Sequence, residues 1–317
     1  MTASIWQRAG LNGTELRAVG VNSANPRGLV AAGPALYRST DGGANWQSAV
    51  NNNKITDLVF VPERGAFAGA SAGCLSGLTA PALFSSDGGA WSPIGENLYS
   101  ITPHPRESAV FYAMTCRGVV RSADGGKTWQ PLASSRANNH DGALLGLALS
   151  RPEVLYAVYV SEGGGILVRR SEDAGATWRD VAPSDAHGPI DVAVDPFDPQ
   201  VVFLATSSGL WRTADGGGTW ERLTRGLEPA RRAEGGLELY NVGALAADPR
   251  DRGAYYLGTA DFSSRGVGVL ATRDGGRTWS RLGDGLGNRA VRDLVVLPQP
   301  HILYAATSDG VLRLPLP

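Results

Sequence analysis

Short apolar runs separated by turn residues recur along this chain in a fixed order. A first run ends near a proline, as in ITDLVFVP, IDVAVDP, VGALAADP and RDLVVLP. Two β-rich runs follow, such as VFYAMT then GVVRS, or VVFLATS then GLWRT, and a short amphipathic segment such as QPLA or ERLT closes the unit. Val, Ile, Phe and Tyr between Gly, Asp and Pro predict strands and tight turns, so each unit reads as four short strands. Such a unit cannot bury both of its faces alone, so the copies are expected to stack around an axis.

Between the third and fourth strand of a unit lies an octet. STDGGANW ends at Trp46, SADGGKTW at Trp129, SEDAGATW at Trp178, TADGGGTW at Trp220 and TRDGGRTW at Trp279, and a shortened copy, SSDGGAW, ends at Trp91. The Ser or Thr hydroxyl and the Asp carboxylate two residues on can accept hydrogen bonds from backbone N–H groups inside the turn. The glycines supply positive φ without steric cost. The Trp then starts the outer strand and packs its ring against the neighbouring sheet.

Inner strands are predicted to begin near Leu16, Ile55, Leu98, Leu145, Ile190, Val242 and Val291, which makes seven units. The last has three strands (RDLVVLP, ILYAATS, GVLRLPLP) and no octet. SIWQRAG around Trp6 resembles an orphan outer strand, matching NWQSAV and TWQPLA. The expectation is an all-β, seven-bladed β-propeller of four-stranded antiparallel blades, closed by the N-terminal strand (residues 4–10) joining the C-terminal blade. It forms one domain spanning 1–317, since closure leaves no open sheet edge and no linker interrupts the repeat.

Composition supports a large core: 317 residues, 42 Gly, 19 Pro and 43% hydrophobic. A net charge of −1 provides no global field for nucleic acid or an anionic membrane. No apolar run reaches the ~18 residues that span a bilayer. The start, MTASIWQRAGLNG, lacks the apolar core of a signal peptide.

The octets resemble the Asp-box (bacterial neuraminidase) repeat over nearly the whole chain. The pattern D-P, then VYA-T, then G-VxRSxDGGxTW is similar to seven-bladed members of that superfamily, among them photosystem II assembly and stability factors and the propellers of xyloglucan-hydrolysing enzymes. The resemblance implies a propeller and leaves activity to the site. It also implies a bacterial, extracytoplasmic protein, periplasmic or secreted.

Because strands alternate in direction, octets and inner turns (VPERG, DPFDPQ, DPRDRG) share one face. The opposite face carries the loops entering inner strands and those joining middle strands. Its longest segments are Pro131 to Leu145, Arg222 to Asn241 and the hairpin Cys74 to Pro81. Long loops in a compact fold often carry function. Arg225, Arg231, Arg232, Glu238 and Tyr240, with Arg136 and His140, are therefore the candidate partner-binding residues, Arg offering a bidentate fork to carboxylate or phosphate. The solvated alternative, with Glu228, Glu234 and Glu238 neutralising the arginines, stays open.

Asp57, Asp191 and Asp293 share one register on inner strands, where Ala18, Ser100, Gly146 and Ala244 stand in other blades. Structural hydrogen bonding is expected of them rather than acid–base or cation chemistry. A sialidase resemblance implies an arginine triad, a Tyr–Glu pair and an N-terminal Arg-Ile-Pro signature, which is absent; Arg117, Arg136, Arg231 and Tyr240 do not select themselves. The xyloglucan enzymes place their site between two propellers, and Asp141, Glu228 and Glu238 lack a spacing that marks a glycosidase pair. His104, His140, His187 and His301 are scattered without metal-ligand spacing, and Trp211 is expected in the core. Cys74 and Cys116 fall on adjacent blades; a disulfide and two free thiols are both open, with free thiols preferred. The expected function is a non-enzymatic binding or assembly scaffold engaging a protein or peptide through the loop-rich face, monomeric, without cofactor, metal or nucleic-acid partner. The alternative is a carbohydrate-active enzyme of glycoside-hydrolase or sialidase type, or a glycan-binding propeller. Tyr99 and Tyr240 are the aromatics expected on that face.

Overall fold

The computed structural model describes residues 4–51, 54–74, 78–137, 140–228, 231–234, 237–240, 242–261 and 263–317. Seven four-stranded antiparallel sheets form a ring of blades. Blades one to seven have inner strands Ala18–Val21, Ile55–Val61, Tyr99–Pro103, Asp141–Leu147, Pro189–Val194, Ala244–Ala247 and Val291–Leu297. Second strands such as Leu29–Ala32, Phe111–Thr115 and Val202–Thr206 are buried almost throughout, because neighbouring blades cover both of their faces. Outer strands such as Gln130–Pro131 and Arg179–Asp180 are exposed. That gradient explains why the second run of each unit reads as continuous apolar sequence.

Blade seven is completed across the termini. Its sheet order places Gln7–Arg8 beside Gly310–Pro315, with Gln7 opposite Arg313 and Arg8 opposite Leu312. The Ala9 amide donates to the Val311 carbonyl at 2.8 Å, and the Trp6 amide donates to Asp284 of blade six, also at 2.8 Å. The expected closure and blade count are both present.

The octets behave as their chemistry predicts. In blade one the Ser39 hydroxyl accepts from the Gly43 amide at 2.9 Å and donates to Asp41 at 2.8 Å, while Asp41 accepts from the Asn45 amide at 2.9 Å. The same amide-to-hydroxyl bond recurs at Gly126–Ser122, Gly175–Ser171, Gly217–Thr213 and Gly276–Thr272, and in the shortened octet at Gly88–Ser85. These bonds favour the ionised carboxylate. The Asn45 amide foremost holds Asp41 down at about 2 and the Thr219 amide does the same for Asp215, while the hydroxyls of Thr128, Thr177 and Thr278 foremost hold Asp124, Asp173 and Asp274 at about 2. Gly43, at φ 93°, presses against the Ala9 carbonyl of blade seven, and an added Cβ would lie 2.4 Å from that oxygen. The octet thus also sets how closely blades approach. Two octet Trp residues extend the contact, the Trp46 indole N–H donating to Ala9 at 2.9 Å and that of Trp220 to Val181 of blade four, and Trp6 of the N-terminal strand donates likewise to Leu282 of blade six at 2.9 Å.

Several expectations need correction. Cys74 and Cys116 are disulfide-bonded, with Cα atoms 5.4 Å apart. The loops that carry them join the second and third strands of blades two and three, and the ring brings equivalent loops of neighbours together. Tyr99 is only 6% exposed and offers no aromatic platform. The segment from Arg222 to Asn241 is not structureless, for Arg231–Glu234 and Leu237–Tyr240 pair as a hairpin. The segment from Pro131 to Leu145 is shortened by a helical turn at Ala133–Ser135 and by the inner strand starting at Asp141. In blade four the residue following the inner-strand bulge, where Asp57 stands in blade two, is Leu144 rather than Gly146. Trp211 lies in the core, 8% exposed.

Candidate functional site: the mouth of the central channel

The inner strands start at the loop-rich face, and their first residues enclose a cavity of about 210 Å³. All seven blades contribute: Arg17; Thr56 and Asp57; Tyr99 and Ser100; Ala143 and Leu144; Ile190 and Asp191; Gly243; Arg292 and Asp293. Strand direction alone gathers these residues, which lie far apart in sequence.

The three carboxylates bridge blades. Asp57 accepts from the Ser100 and Ile101 amides of blade three at 2.9 and 3.0 Å. Asp191 accepts from the Leu245 amide of blade six at 2.7 Å, and Asp293 from the Val19 amide of blade one at 2.8 Å. Ser100 fills the same role towards blade four, accepting from the Leu145 amide at 3.0 Å. The structural role expected of the three carboxylates is therefore what the bonds display. Gly69, opposite Asp57 in the sheet, makes room for the carboxylate, since a Cβ there would fall 2.2 Å from its oxygen. Burial raises all three carboxyls: Asp57 upward, Asp191 to about 6 and Asp293 to about 7, the last also through the charges of Asp191 and Asp57.

Arg17 and Arg292, from the adjacent blades one and seven, line one side of this acidic floor. Arg292 donates to Glu15 at 2.5 Å and to Ser264 at 2.7 Å, and Ser264 donates to Glu15 at 2.9 Å. The Ser264 hydroxyl foremost, with Arg292 beside it, keeps the Glu15 carboxyl below its ordinary range. This triad fastens a loop of blade six to the segment entering blade one. Across the mouth, the Tyr99 hydroxyl donates to the Gly142 carbonyl at 2.7 Å and lies 3.5 Å from the Cys74 sulfur. Its removal from solvent, together with the Asp141 charge, pushes the phenol well above its usual range. In the loop joining the second and third strands of blade two, Leu78 is 62% exposed.

The candidate residues read from the sequence do not converge on one cavity. Arg136 follows the turn at Ala133–Ser135, and its carbonyl accepts from Arg169 at 2.9 Å. His140 directly precedes the inner strand of blade four, while Asn138 and Asn139 of the same polar segment lie outside the described residues. Arg231 stands opposite Tyr240, Arg232 opposite Leu239 and Glu238 opposite Ala233 on the hairpin, whose side chains lie outside the described set. Arg225 belongs to a separate cavity between blades five and six. The basic pair Arg17 and Arg292 was missed. Each immediately precedes the inner-strand position held by Ala18 or Asp293, so aligning the repeats on that position would have exposed them.

The scattered histidines have local partners. His301 bridges Asp248 of blade six at 2.9 Å and the Pro317 carbonyl at 2.9 Å. Among the described residues no group of three or more His, Cys, Asp or Glu could hold a metal, and no helix is long and apolar enough to cross a membrane.

Fold and mouth define a class, a seven-bladed propeller whose channel opens among inter-strand loops. No family model matches the chain. Over 244 residues it is 31% identical to an oligoxyloglucan-reducing end-specific xyloglucanase of Emericella nidulans, an alignment covering 69% of this chain and 28% of that protein. The chain spans about a quarter of the length of the curated relatives it matches. Among solved structures it superposes on the GH74 xyloglucanase from Xanthomonas campestris with a TM-score of 0.74 at 17% identity, covering 98% of this chain and 53% of that one. It superposes on YCF48 bound to D1 peptide with a TM-score of 0.66 at 15% identity, covering 100% and 98%. These likenesses agree on the seven-bladed ring and diverge on activity.

Proposed function

We propose that this propeller is a non-enzymatic binding or assembly scaffold that engages a protein or peptide across its loop-rich face, centred on the channel mouth. One observation carries the proposal: the mouth's carboxylates are engaged by backbone amides of the next blade, which makes the opening a bed of ordered inter-blade bonds edged by Arg17 and by Arg292 with its partner Glu15. A bed of inter-blade bonds with two guanidinium groups at one edge suits recognition of peptide carbonyls and carboxylates. The structure of YCF48 with D1 peptide supports the class of partner, since that protein shares the fold. Arg136, His140 and the hairpin residues Arg231, Arg232, Glu238 and Tyr240 would extend the contact outward. Residues 1–317 act as one domain and one monomeric unit in this proposal, and the disulfide supports an oxidising, extracytoplasmic compartment.

A second reading has its own support. The xyloglucanase similarity, with Asp191 and Asp293 titrating near 6 and 7, favours a glycoside hydrolase or glycan binder, because a carboxyl held in that range can donate a proton near neutrality.

Photo-crosslinking residues placed at Leu78 and Ser264, and separately at Glu63 and Arg250 among the inner turns, separate the two. The scaffold proposal expects a discrete peptide adduct from the first pair alone. Equal adducts from both pairs, or xyloglucan hydrolysis abolished by Asp293→Asn, would overturn it.

A further inference from the structure

A second cavity, of about 460 Å³, lies between the outer strand of blade five (Glu221–Leu223) and the octet turn of blade six. Four arginines line it, Arg212, Arg222, Arg225 and Arg277, against the single carboxylate of Glu221. Arg222 is itself engaged, so the excess positive charge rests on Arg212, Arg225 and Arg277. Several other arginines of this molecule are ion-paired, as in Arg8–Asp309, Arg169–Asp180, Arg273–Asp251 and Arg289–Asp309. Here Arg212, Arg225 and Arg277 form no ion pair and no side-chain hydrogen bond with any described residue.

The repeat supplies internal controls. The arginine preceding the octet Ser or Thr occurs in several blades, stacked under the next blade's octet. In blade one Arg38 meets Asp87 of blade two at 3.3 Å, and in blade four Arg170 meets Glu172 at 2.6 Å. Arg212 occupies the same place in blade five, its guanidinium 5.9 Å from the Phe203 ring centroid. The residue corresponding to Glu172 is Ala214, so the carboxylate that satisfies Arg170 has no counterpart. The Nε of all three arginines is buried without a bond, as is the Arg170 Nη2, so what sets Arg212 apart from Arg38 and Arg170 is that no described carboxylate pairs with it. Above it, Gly275 leaves the space open, its built Cβ no closer than 3.9 Å to Arg212.

From this geometry we infer that the cavity between blades five and six is a binding site for a tetrahedral oxyanion, phosphate or sulfate. Guanidinium groups always carry charge and only donate hydrogen bonds, so an anion that displaces water from this opening meets donors on several sides. They reach the cavity from a middle strand, an outer strand with its following turn, and a neighbouring blade's octet. Donors converging from three chain segments suit a polyvalent tetrahedral anion better than a planar carboxylate, which one fork satisfies. The octet amides do not compete, because Gly275 donates to the Gly253 carbonyl and Gly276 to the Thr272 hydroxyl. This site is separate from the channel mouth and does not depend on the scaffold proposal.

Calorimetric titration of the full chain with inorganic phosphate and with sulfate, at chloride-matched ionic strength, tests the inference. Arg225 and Arg277 are exposed, so Arg225→Gln/Arg277→Gln is expected to fold like the wild type, checked by its melting temperature. Losing two charged donors should weaken oxyanion binding at least about tenfold. The charge-matched double variant Lys127→Gln/Arg151→Gln, on blades three and four, should bind within about twofold of wild type, as distant exposed charges are screened. Non-saturable binding to the wild type, or equal weakening in both double variants, would overturn the assignment.

Discussion

Replacing Trp6 with Ala removes the residue that pins the first strand into a ring whose other components were synthesised last. Trp6 is 4% exposed, packs with Leu286, Leu312 and Leu314, and donates its indole N–H to Leu282. A buried Trp covers up to ~250 Å², worth about 6 kcal/mol at 25 cal/mol per Å², and truncation of such side chains costs about 3–5 kcal/mol after relaxation. Unfolding entropy of about 2.1 cal/mol/K per residue gives roughly 0.7 kcal/mol/K for a chain of this size, so the melting temperature should fall by about 4–8 °C. Trp6→Phe keeps most of the burial but strands the Leu282 carbonyl, and should cost only about 1–2 kcal/mol. Differential scanning calorimetry of these variants against Ile5→Ala, whose side chain is 62% exposed, provides the comparison. A Trp6→Ala protein melting within about 1 °C of wild type, or no lower than Ile5→Ala, would refute closure by the N-terminal strand.

Three further outcomes follow from the geometry. Asp293 titrates near 7 when folded and near 3.9 when unfolded, so its neutral form contributes stability fully below about pH 4, and this is lost as pH rises through 7. Asp293→Asn retains an oxygen for the Val19 amide and should gain on wild type between pH 4 and 8, by at most about 4 kcal/mol; parallel stability–pH curves from urea titrations would contradict this. Reducing the Cys74–Cys116 bond, which joins positions 42 residues apart, should cost up to about 4 kcal/mol, while Cys74→Ala/Cys116→Ala should be indifferent to reductant in the same melting assay. Thr213→Val leaves the buried Gly217 amide without its acceptor and should cost about 1–3 kcal/mol in chemical denaturation, with Thr213→Ser restoring wild-type stability.

The ring was legible because its determinants are local and repeated. Ser39, Asp41, Gly43 and Trp46 lie within eight residues, and the later full octets repeat the bonds of the first three. Closure was legible because Trp6 had no sheet of its own. The mouth was much less so. Arg17 and Arg292 come together only after every blade has turned about the axis, and no window of sequence contains both. Asp57, Asp191 and Asp293 could be aligned, but their partners, the amides of Ser100, Leu245 and Val19, carry no side-chain signature. The disulfide was obscured for the same reason, since Cys74 and Cys116 meet through equivalent loops of adjacent blades. Tyr99 looked like a surface aromatic because its acceptor, the Gly142 carbonyl, belongs to the next blade.

The pairing of Gln7–Arg8 with Gly310–Pro315 has a consequence for biosynthesis. The two partners leave the ribosome about 300 residues apart, a delay of roughly 15–60 s at 5–20 residues per second. Throughout that interval the indole of Trp6 has no pocket, and the nascent protein carries an unfinished sheet at each extremity. Blades one to six can assemble in turn, but the circle locks only when Gly310–Pro315 is available to receive Gln7–Arg8.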